Sequence, residues 1–371
     1  MIGPSSWVFL AIVLNLTVIA TAVAAVTWQV RRWRLARRLV ATFTIELLVL
    51  VSLGAVINVN QQFYTTWPAL FGVQDRSEHV QVVVDQSARP TRPGPAPTGS
   101  AARTAAIDRT EAGRSRIVNV TLVGRRTGYR LAGVAYVPGS YFHPDQAQRR
   151  FPVVMLLTGY PGTPRIWPDR LRLKEVLDRQ IRTGRMPAVL AVMPRQDPDH
   201  PRDSECVDAV GGARAGTYLG EDVPDAVAAR FRVRTDRDGW AVMGYSTGGF
   251  CAANLAIGHP RRFSKAISLS GYFTAITDAS TGDLYHGDAA ARRLNSPLWS
   301  VAHRPHAPLT FFVSAAKDHH GDLTAALAFA KAVRAPDGVT VALIATGGHS
   351  TAAWQNMAPH AFGWLGQHLT S

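Results

Sequence analysis

A serine framed by glycines stands where an apolar segment gives way to an amphipathic one. The segment DGWAVMGYSTGGFCAANLAIGHP covers residues 238–260 and places Ser246 between Gly244 and Gly248. WAVMGY predicts a strand and TGGFCAANLAI a helix, so the serine occupies a tight turn in which glycines leave room for its hydroxyl. This G-x-S-x-G pattern is typical of a nucleophilic serine, and the plainer alternative is a helix N-cap before Thr247.

A serine hydroxyl becomes a nucleophile only when a base takes its proton and a third group orients that base. His349 is the predicted base, because it follows the strand-like segment VTVALIAT and precedes a helical one. Asp318 is the predicted acid, since it follows the strand-like segment LTFFVSA. Asp322 is the second choice because it begins the next helix and resembles a helix cap. Serine, acid and histidine then follow one another in the chain order that this motif requires.

Two backbone N–H groups must also face the oxygen that becomes negative during acyl transfer. One is predicted to be the amide of Thr247, directly after the serine, and the other that of Tyr160 in the turn TGYPGTP. Gly159 would let the backbone approach. A tight turn without a chemical role is the alternative for this segment.

A metal site is the competing interpretation of the segment DHHGD, residues 318–322. Adjacent histidines on a turn point apart, and the chain contains no H-E-x-x-H or similarly spaced partner. We therefore predict neither a catalytic metal nor any other cofactor. The acidic segment DPDHPRDSECVD, residues 197–208, is interpreted as a solvated loop, with a calcium site or a rim over the pocket as alternatives.

The chain has two cysteines, Cys206 and Cys251. In an exported domain they are predicted to form one disulfide, which would hold the acidic loop close to Ser246. Two reduced, buried thiols are the alternative, because spacing alone does not establish proximity.

Short apolar segments alternate with amphipathic ones from residue 115 onward. After a leading hairpin, RIVNVTLV and YRLAGVAYV, six strand-like segments are separated by helical patterns. Continuous apolar strands divided by helices indicate a mostly parallel sheet covered on both faces, with the site at the carboxyl ends of the strands. The catalytic domain is predicted to span residues 112–371.

Two apolar runs, residues 7–30 and 39–58, open the chain. Each is long enough to cross ~30 Å of hydrocarbon at ~1.5 Å rise per residue, so we predict two transmembrane helices within residues 1–58. A cleaved signal peptide is the alternative for the first run, although MIGPSS carries no positive charge. Glu46 lies within the second run, where a charge is costly, and is expected to face another helix or a second copy of the chain.

The connection between the two runs is short and rich in arginine, which predicts that it lies in the cytoplasm. Everything after residue 58 is then extracytoplasmic, on a multi-pass protein of the cell membrane. Residues 59–111 are interpreted as an interfacial aromatic segment followed by an extended linker rich in proline, alanine and arginine. The arginines of the connection are Arg31, Arg32, Arg34, Arg37 and Arg38.

The net charge of +14 raises the question of nucleic-acid binding. Of the 40 basic residues 36 are arginine, and five of these belong to the connection between the spans. No nucleic-acid motif accompanies them, so we predict no nucleic-acid partner and allow instead an affinity for acidic polymers or lipid headgroups.

Three segments, GYSTGGFCAANLAIGHPRRFSKAISLSGYF, TGYPGTP and GGHSTAAW, together resemble the putative esterase family of α/β-hydrolases. That family includes esterase D-like enzymes and the actinobacterial mycolyltransferases. The similarity covers roughly residues 115–369, and membrane-anchored actinobacterial members also resemble the front of the chain, including NQQFYTTWPALFG.

The resemblance implies an α/β-hydrolase fold and ester hydrolysis or acyl transfer, with Ser246 as nucleophile, His349 as base and Asp318 as acid. Mycolyltransferases differ in carrying a glutamate as the acid and in lacking two spans, so mycolate and trehalose are not carried over. We predict a membrane-anchored, extracytoplasmic serine esterase that acts on a small-molecule, lipid or glycolipid ester. An acyltransferase and an inactive envelope-binding scaffold are the alternatives.

Overall fold

The computed structural model describes residues 3–4, 6–29, 33–61, 64, 67–71, 80–86 and 99–369. Before the sheet come three helices, α1 (Trp7–Thr27), α2 (Arg34–Gln61) and α3 (Trp67–Leu70). The strands are β1 (Gln81–Asp85), β2 (Arg116–Val123), β3 (Arg130–Val137), β4 (Val153–Leu157), β5 (Leu190–Pro194), β6 (Trp240–Tyr245), β7 (Lys265–Leu269), β8 (Thr310–Ala316) and β9 (Gly338–Ile344). The remaining helices are α4 (Ser100–Glu111), α5 (Ile166–Asp169), α6 (Leu173–Arg182), α7 (Ala215–Thr217), α8 (Val223–Arg230), α9 (Thr247–Gly258), α10 (Ala289–Leu294), α11 (Pro297–His303), α12 (His320–Ala332) and α13 (Thr351–His368).

The strands form one sheet in the order β1-β9-β8-β7-β6-β4-β5-β3-β2. The pairs from β5 across to β9 are parallel, as the alternation of strands and helices predicts. At one edge β2 and β3 form the predicted hairpin, and β3 joins β5 antiparallel. At the other edge β1 pairs antiparallel with β9.

Both faces of the sheet are buried, which explains why its parallel strands read as continuous apolar runs. In β6, Trp240 and Val242 belong to the core on one face, while Ala241, Met243 and Tyr245 belong to the core on the other. This follows from the twofold alternation of side chains along a strand. The first face is covered by α8, α9, α11 and α12, and the second by α5, α6 and α13.

The packed domain begins earlier than the predicted boundary at residue 112. Strand β1 lies within residues 59–111, interpreted from the sequence as a juxtamembrane segment and a linker, yet it pairs with β9, and Gln81 lies opposite Leu343. Helix α4 is also packed on the domain, because buried Asp108 accepts from Arg149 at 2.7 Å and from the amide of Ala188 at 3.3 Å. The prediction for residues 59–111 missed both elements, since each is held by partners distant in the chain. Residues 87–98, the rest of that linker, lie outside the described residues.

Helices α1 and α2 are both long and apolar enough to cross a membrane. They pack against each other through Leu10, Ala55 and Val59, and the hydroxyls of Thr17 and Ser52 lie 3.3 Å apart. The side chain of Glu46 is exposed on α2 and does not face α1. Of the predicted cytoplasmic connection, residues 30–32 lie outside the described part of the chain.

Candidate active site

Ser246 lies between β6 and α9. Its backbone, with φ 55° and ψ −126°, has a conformation that residues other than glycine rarely adopt. Its amide donates to the carbonyl of Leu269 at 2.9 Å, which ties the turn to the neighbouring strand β7. The turn lifts the hydroxyl beyond the carboxyl ends of β6 and β7. This is the geometry expected of a nucleophile elbow.

The glycines around the serine are required by the close approach of backbone segments. A Cβ at Gly244 would lie 2.1 Å from the carbonyl oxygen of Gly248, and one at Gly248 would lie 2.7 Å from that of Leu157. A Cβ at Gly159 would come within 2.9 Å of the Cβ of Ser246. The motif therefore serves to bring the turn after β4 against the serine.

His349 completes the first contact that the sequence predicts. Its Nε2 lies 2.8 Å from Oγ of Ser246, a hydrogen-bond distance, although the two residues are far apart in the chain. The ring also packs edge-on against Trp354, at a centroid distance of 5.2 Å, and Trp354 stacks on Tyr245 at 4.3 Å. These aromatic contacts limit the rotation of the imidazole and hold it over the serine.

The carboxylate at the other side of His349 belongs to Asp322, not to the predicted Asp318. Oδ2 of Asp322 lies 2.9 Å from Nδ1 of His349. Asp318 instead accepts the amides of Gly347 at 3.0 Å and Gly348 at 2.9 Å, so it shapes the turn that carries the histidine. Both aspartates thus position His349. Asp322 contacts its ring, and Asp318 holds the backbone turn before it.

The cap-like position of Asp322 explains why the sequence favoured its neighbour. The N-cap position of α12 is in fact occupied by His319 and not by Asp322. Because the side chain of Asp322 is not needed as the cap, its carboxylate is available to the two histidines. The sequence signal was present in the spacing D-x-x-x-D, but it did not distinguish the two aspartates.

The Asp322 carboxylate is buried and bridges two imidazoles, with Oδ1 3.0 Å from Nδ1 of His319. Burial opposes its ionisation, but the hydrogen bonds from His319 and His349 outweigh burial and hold the pKa of this carboxyl below its usual range. The hydrogen bond to Asp322 also raises the pKa of His319. Asp322 therefore carries a negative charge at neutral pH, as an orienting acid must.

The two predicted oxyanion amides come from the elements that meet at Ser246. Thr247 is the first residue of α9, and Tyr160 follows Gly159 in the turn after β4. Gln196 holds that turn by accepting from the amide of Thr158 at 2.8 Å and donating to its carbonyl at 2.9 Å. The phenol of Tyr160 donates to the carbonyl of Pro201. Both amides thus belong to backbone segments in contact with the serine, and their role stays a prediction.

Comparison with known proteins agrees with this geometry. The model of the family described as Putative esterase matches residues 125–362, more than half of the chain. The chain belongs to this esterase family. It is therefore an enzyme that acts on ester bonds, and the predicted α/β-hydrolase fold, preceded by two long apolar helices, is confirmed.

Individual proteins are similar to this esterase in sequence or in fold, at low sequence identity. An uncharacterized protein of Corynebacterium glutamicum is 27% identical over 348 residues, which cover 89% of this chain and 76% of the relative. An S-formylglutathione hydrolase of Agrobacterium tumefaciens is 16% identical with a TM-score of 0.59, covering 78% of this chain and 100% of its own. FphF, a fluorophosphonate-binding serine hydrolase of Staphylococcus aureus, is 17% identical with a TM-score of 0.56, covering 68% and 98%.

The acidic loop of the esterase, residues 197–208, is tied to the helix that follows the nucleophile. Cys206 and Cys251 form a disulfide with Cα atoms 5.4 Å apart. Oδ2 of Asp203 lies 3.2 Å from the hydroxyl of Thr247. Contrary to the solvated loop that the sequence suggests, Asp203 and Glu205 are buried.

Glu205 uses one carboxyl oxygen to accept from the phenol of Tyr272 at 2.9 Å and from the amide of Ile276 at 3.2 Å. Its side chain is fully buried, and burial raises the pKa of Glu205 to about 8. Burial likewise raises the pKa of Asp203 to about 7. At neutral pH the loop is therefore held together by carboxyl groups of which at least one carries a proton.

We expect Glu205 to contribute less stability to the esterase as the pH rises from about 4.5 to about 8. In this window the folded protein keeps the proton of Glu205 while the unfolded chain loses it, so the folded state binds more protons and each rise in pH favours unfolding. Glu205→Gln removes this contribution, and its melting temperature should fall less steeply over the same range. Thermal unfolding of the full chain in detergent from pH 5 to 8.5 measures both slopes.

Glu175→Gln, which removes an exposed carboxylate on α6, is the matched control and should keep the slope of the wild type. Asp203 contributes part of the slope, so the Glu205→Gln curve should be flatter rather than level. Parallel curves for wild type and Glu205→Gln would contradict a protonated Glu205 in the folded state.

A cluster of potential metal ligands coincides with the hydrogen-bonded residues of the candidate site. Ligand atoms of His319, Asp322 and His349 lie within 4.8 Å of one another. These are the atoms that the hydrogen bonds between Ser246, His349 and Asp322 already use. A metal ion bound here would take the ring of His349 away from the serine, so metal binding and nucleophilic catalysis compete for one set of atoms.

Proposed function

We propose that this protein is a membrane-anchored, extracytoplasmic serine esterase that works through an acyl-enzyme. The observation that carries the proposal is the continuous hydrogen-bonded chain from Ser246 through His349 to Asp322. Such a chain activates a hydroxyl because the imidazole takes its proton and the carboxylate stabilises the imidazolium that forms.

Catalysis proceeds in two halves. Oγ of Ser246 attacks the ester carbonyl while Nε2 of His349 takes the hydroxyl proton, and the amides of Thr247 and Tyr160 hold the oxyanion. The C–O bond to the alcohol then breaks, and the alcohol leaves with the proton from His349. Water repeats the sequence on the acyl-enzyme, giving the acid and free Ser246.

Acyl transfer differs from this scheme only in the last step, where the hydroxyl of a sugar or lipid replaces water. We retain it as the alternative outcome for the same acyl-enzyme, and a panel of acceptor alcohols added to the assay separates the two. An inactive envelope-binding scaffold is disfavoured because it gives no reason for the strained backbone of Ser246 or for the aligned histidine.

The membrane topology is part of the proposal. The two apolar helices and the arginine-rich connection between them favour an anchor with both its ends and the catalytic domain outside the cytoplasm. A cysteine-labelling or protease-accessibility experiment on intact cells tests this orientation independently of the chemistry.

A fluorophosphonate probe tests the chemistry directly, because such probes phosphonylate serines that a neighbouring base activates. We expect one adduct by intact mass on the full-length protein in detergent, and none on Ser246→Ala. His349→Ala should slow labelling by at least about 100-fold, since the base contributes that much or more. Ser100→Ala, which changes an exposed serine at the start of α4, should label like the wild type. An unlabelled wild type with a native melting curve would refute the proposal.

A further inference from the structure

The edge strand β1 connects the apolar helices to the catalytic sheet. It pairs antiparallel with β9, with Gln81 opposite Leu343 and Asp85 opposite Thr340. The amide of Gln86 donates to the carbonyl of Val339 at 2.8 Å, which extends the pairing past the strand. The chain that leaves the anchor is therefore fixed to the sheet before it reaches the segment at residues 87–98.

The direction of β1 decides which end of the sheet faces the anchor. Because β9 ends at the catalytic edge and β1 runs opposite to it, β1 begins at that edge. The side chain of Lys317 donates to Oε1 of Gln81 at 2.6 Å. Lys317 directly precedes Asp318, which holds the turn of His349. The first residue of β1 is thus bonded to the loop that supports the catalytic histidine.

On the other side of this connection, helix α3 packs against one end of the apolar hairpin formed by α1 and α2. Trp67 packs edge-on against Phe9, at a centroid distance of 5.1 Å. Asn58 donates to the carbonyl of Tyr64 at 3.0 Å and accepts its amide at 2.8 Å. This is the end of the hairpin opposite the arginine-rich connection, so α3 belongs at the membrane surface on the side of the catalytic domain.

Only residues 71–80 separate α3 from β1. At a maximum of about 3.6 Å per residue, this connection spans no more than about 40 Å even when fully extended. If β1 were not paired, the free chain would run from residue 71 to residue 99 and could extend to roughly 100 Å. Pairing of β1 thus shortens the reach of the catalytic domain more than twofold, and it does so at the catalytic edge.

We infer that β1 keeps the catalytic site at the membrane surface and that the enzyme takes its ester substrate from the bilayer, as an amphiphile whose ester group lies near the headgroups. The inference rests on the proposed function and adds to it the class of the substrate. The acyl group of such a lipid ester passes to Ser246, and its alcohol part leaves with the proton from His349. A soluble ester would gain nothing from a short tether, whereas a lipid-borne ester is reached only by a site held close to it.

Lengthening the short connection tests this inference. A flexible insertion of 40 Gly/Ser residues after Gln74 increases the distance that the connection between α3 and β1 can span. The same insertion after Gly94 is the matched control, because it follows β1 and leaves the distance from the membrane to the catalytic edge unchanged. Both variants and the wild type are reconstituted as full-length proteins in phosphatidylcholine/phosphatidylglycerol vesicles. They are assayed with 4-methylumbelliferyl palmitate placed in the bilayer and with soluble 4-methylumbelliferyl acetate.

The insertion after Gln74 should lower turnover of the palmitate ester by about tenfold, since effective concentration falls roughly as the −3/2 power of tether length. Its turnover of the acetate ester, and both rates of the Gly94 insertion, should match the wild type. An unchanged palmitate rate overturns the inference, and so does an equal loss on both substrates or at both insertions. If the wild type hydrolyses neither ester, the proposed function fails and not merely its substrate class.

Discussion

Asp322→Asn is expected to lower kcat by about 10³- to 10⁴-fold on a soluble ester, whereas Asp318→Asn should lower it by less than about tenfold. The amide introduced by Asp322→Asn would offer His349 either an N–H group or a neutral oxygen. The variant would lose the charge that stabilises the imidazolium and would favour the wrong tautomer of the ring. Asp318 accepts the amides of Gly347 and Gly348, so its loss loosens a turn and leaves the Asp322 carboxylate at the ring of His349.

Steady-state kinetics of the two variants on the same soluble ester decide between the aspartates. The KM of Asp322→Asn should change little, because its carboxylate acts on the base and not on the substrate. Melting curves serve as the control, since both variants must be folded for the comparison to hold. A larger loss for Asp318→Asn than for Asp322→Asn would return the role of orienting acid to Asp318 and contradict the hydrogen bond at Nδ1 of His349.

Removal of the disulfide is expected to cost about 4 kcal/mol of stability, because the bond closes a loop with a sequence separation of 45 residues. The bond restricts the unfolded chain, and its loss gives that chain back its conformational freedom. For a domain of this size the change corresponds to a fall of the melting temperature by about 8–16 °C. The double variant Cys206→Ala/Cys251→Ala avoids leaving one free thiol behind.

Reductant supplies an internal control for this prediction. Treating the wild type with dithiothreitol during thermal unfolding should lower its melting temperature to that of the double variant, which itself should not respond. Equal melting temperatures of the wild type with and without reductant would contradict a stabilising disulfide and would mean that hydrogen bonds such as those of Asp203 and Glu205 hold the loop.

Much of the domain could be predicted from local sequence. The buried strands are short apolar runs between helical patterns, and such runs are compatible with few structures other than a parallel sheet covered on both faces. Ser246 could be located for the same reason, since its glycines are required by backbone contacts at a strand-to-helix turn. His349 followed from its position after the last strand.

The start of the domain could not be predicted in this way. Strand β1 is only QVVVD, and its place depends on β9, which lies more than 250 residues further along the chain. Helix α4 is held by the ion pair between Asp108 and Arg149, a contact that no periodicity within SAARTAAIDRTE indicates. The positions of both elements depend on residues distant in the chain rather than on their own composition.

The choice between Asp318 and Asp322 shows most clearly what only the tertiary structure decides. Local sequence predicted the serine, the histidine and the short segment DHHGD with both candidate acids, because these predictions depend on glycine spacing and strand ends. Which aspartate reaches Nδ1 of His349 depends on His319 occupying the N-cap position of α12 and on the turn of Gly347 and Gly348 taking Asp318 as its acceptor. These are contacts between two loops at neighbouring strand ends, and hydrogen-bond geometry over a few ångströms separates two residues that local sequence treats alike.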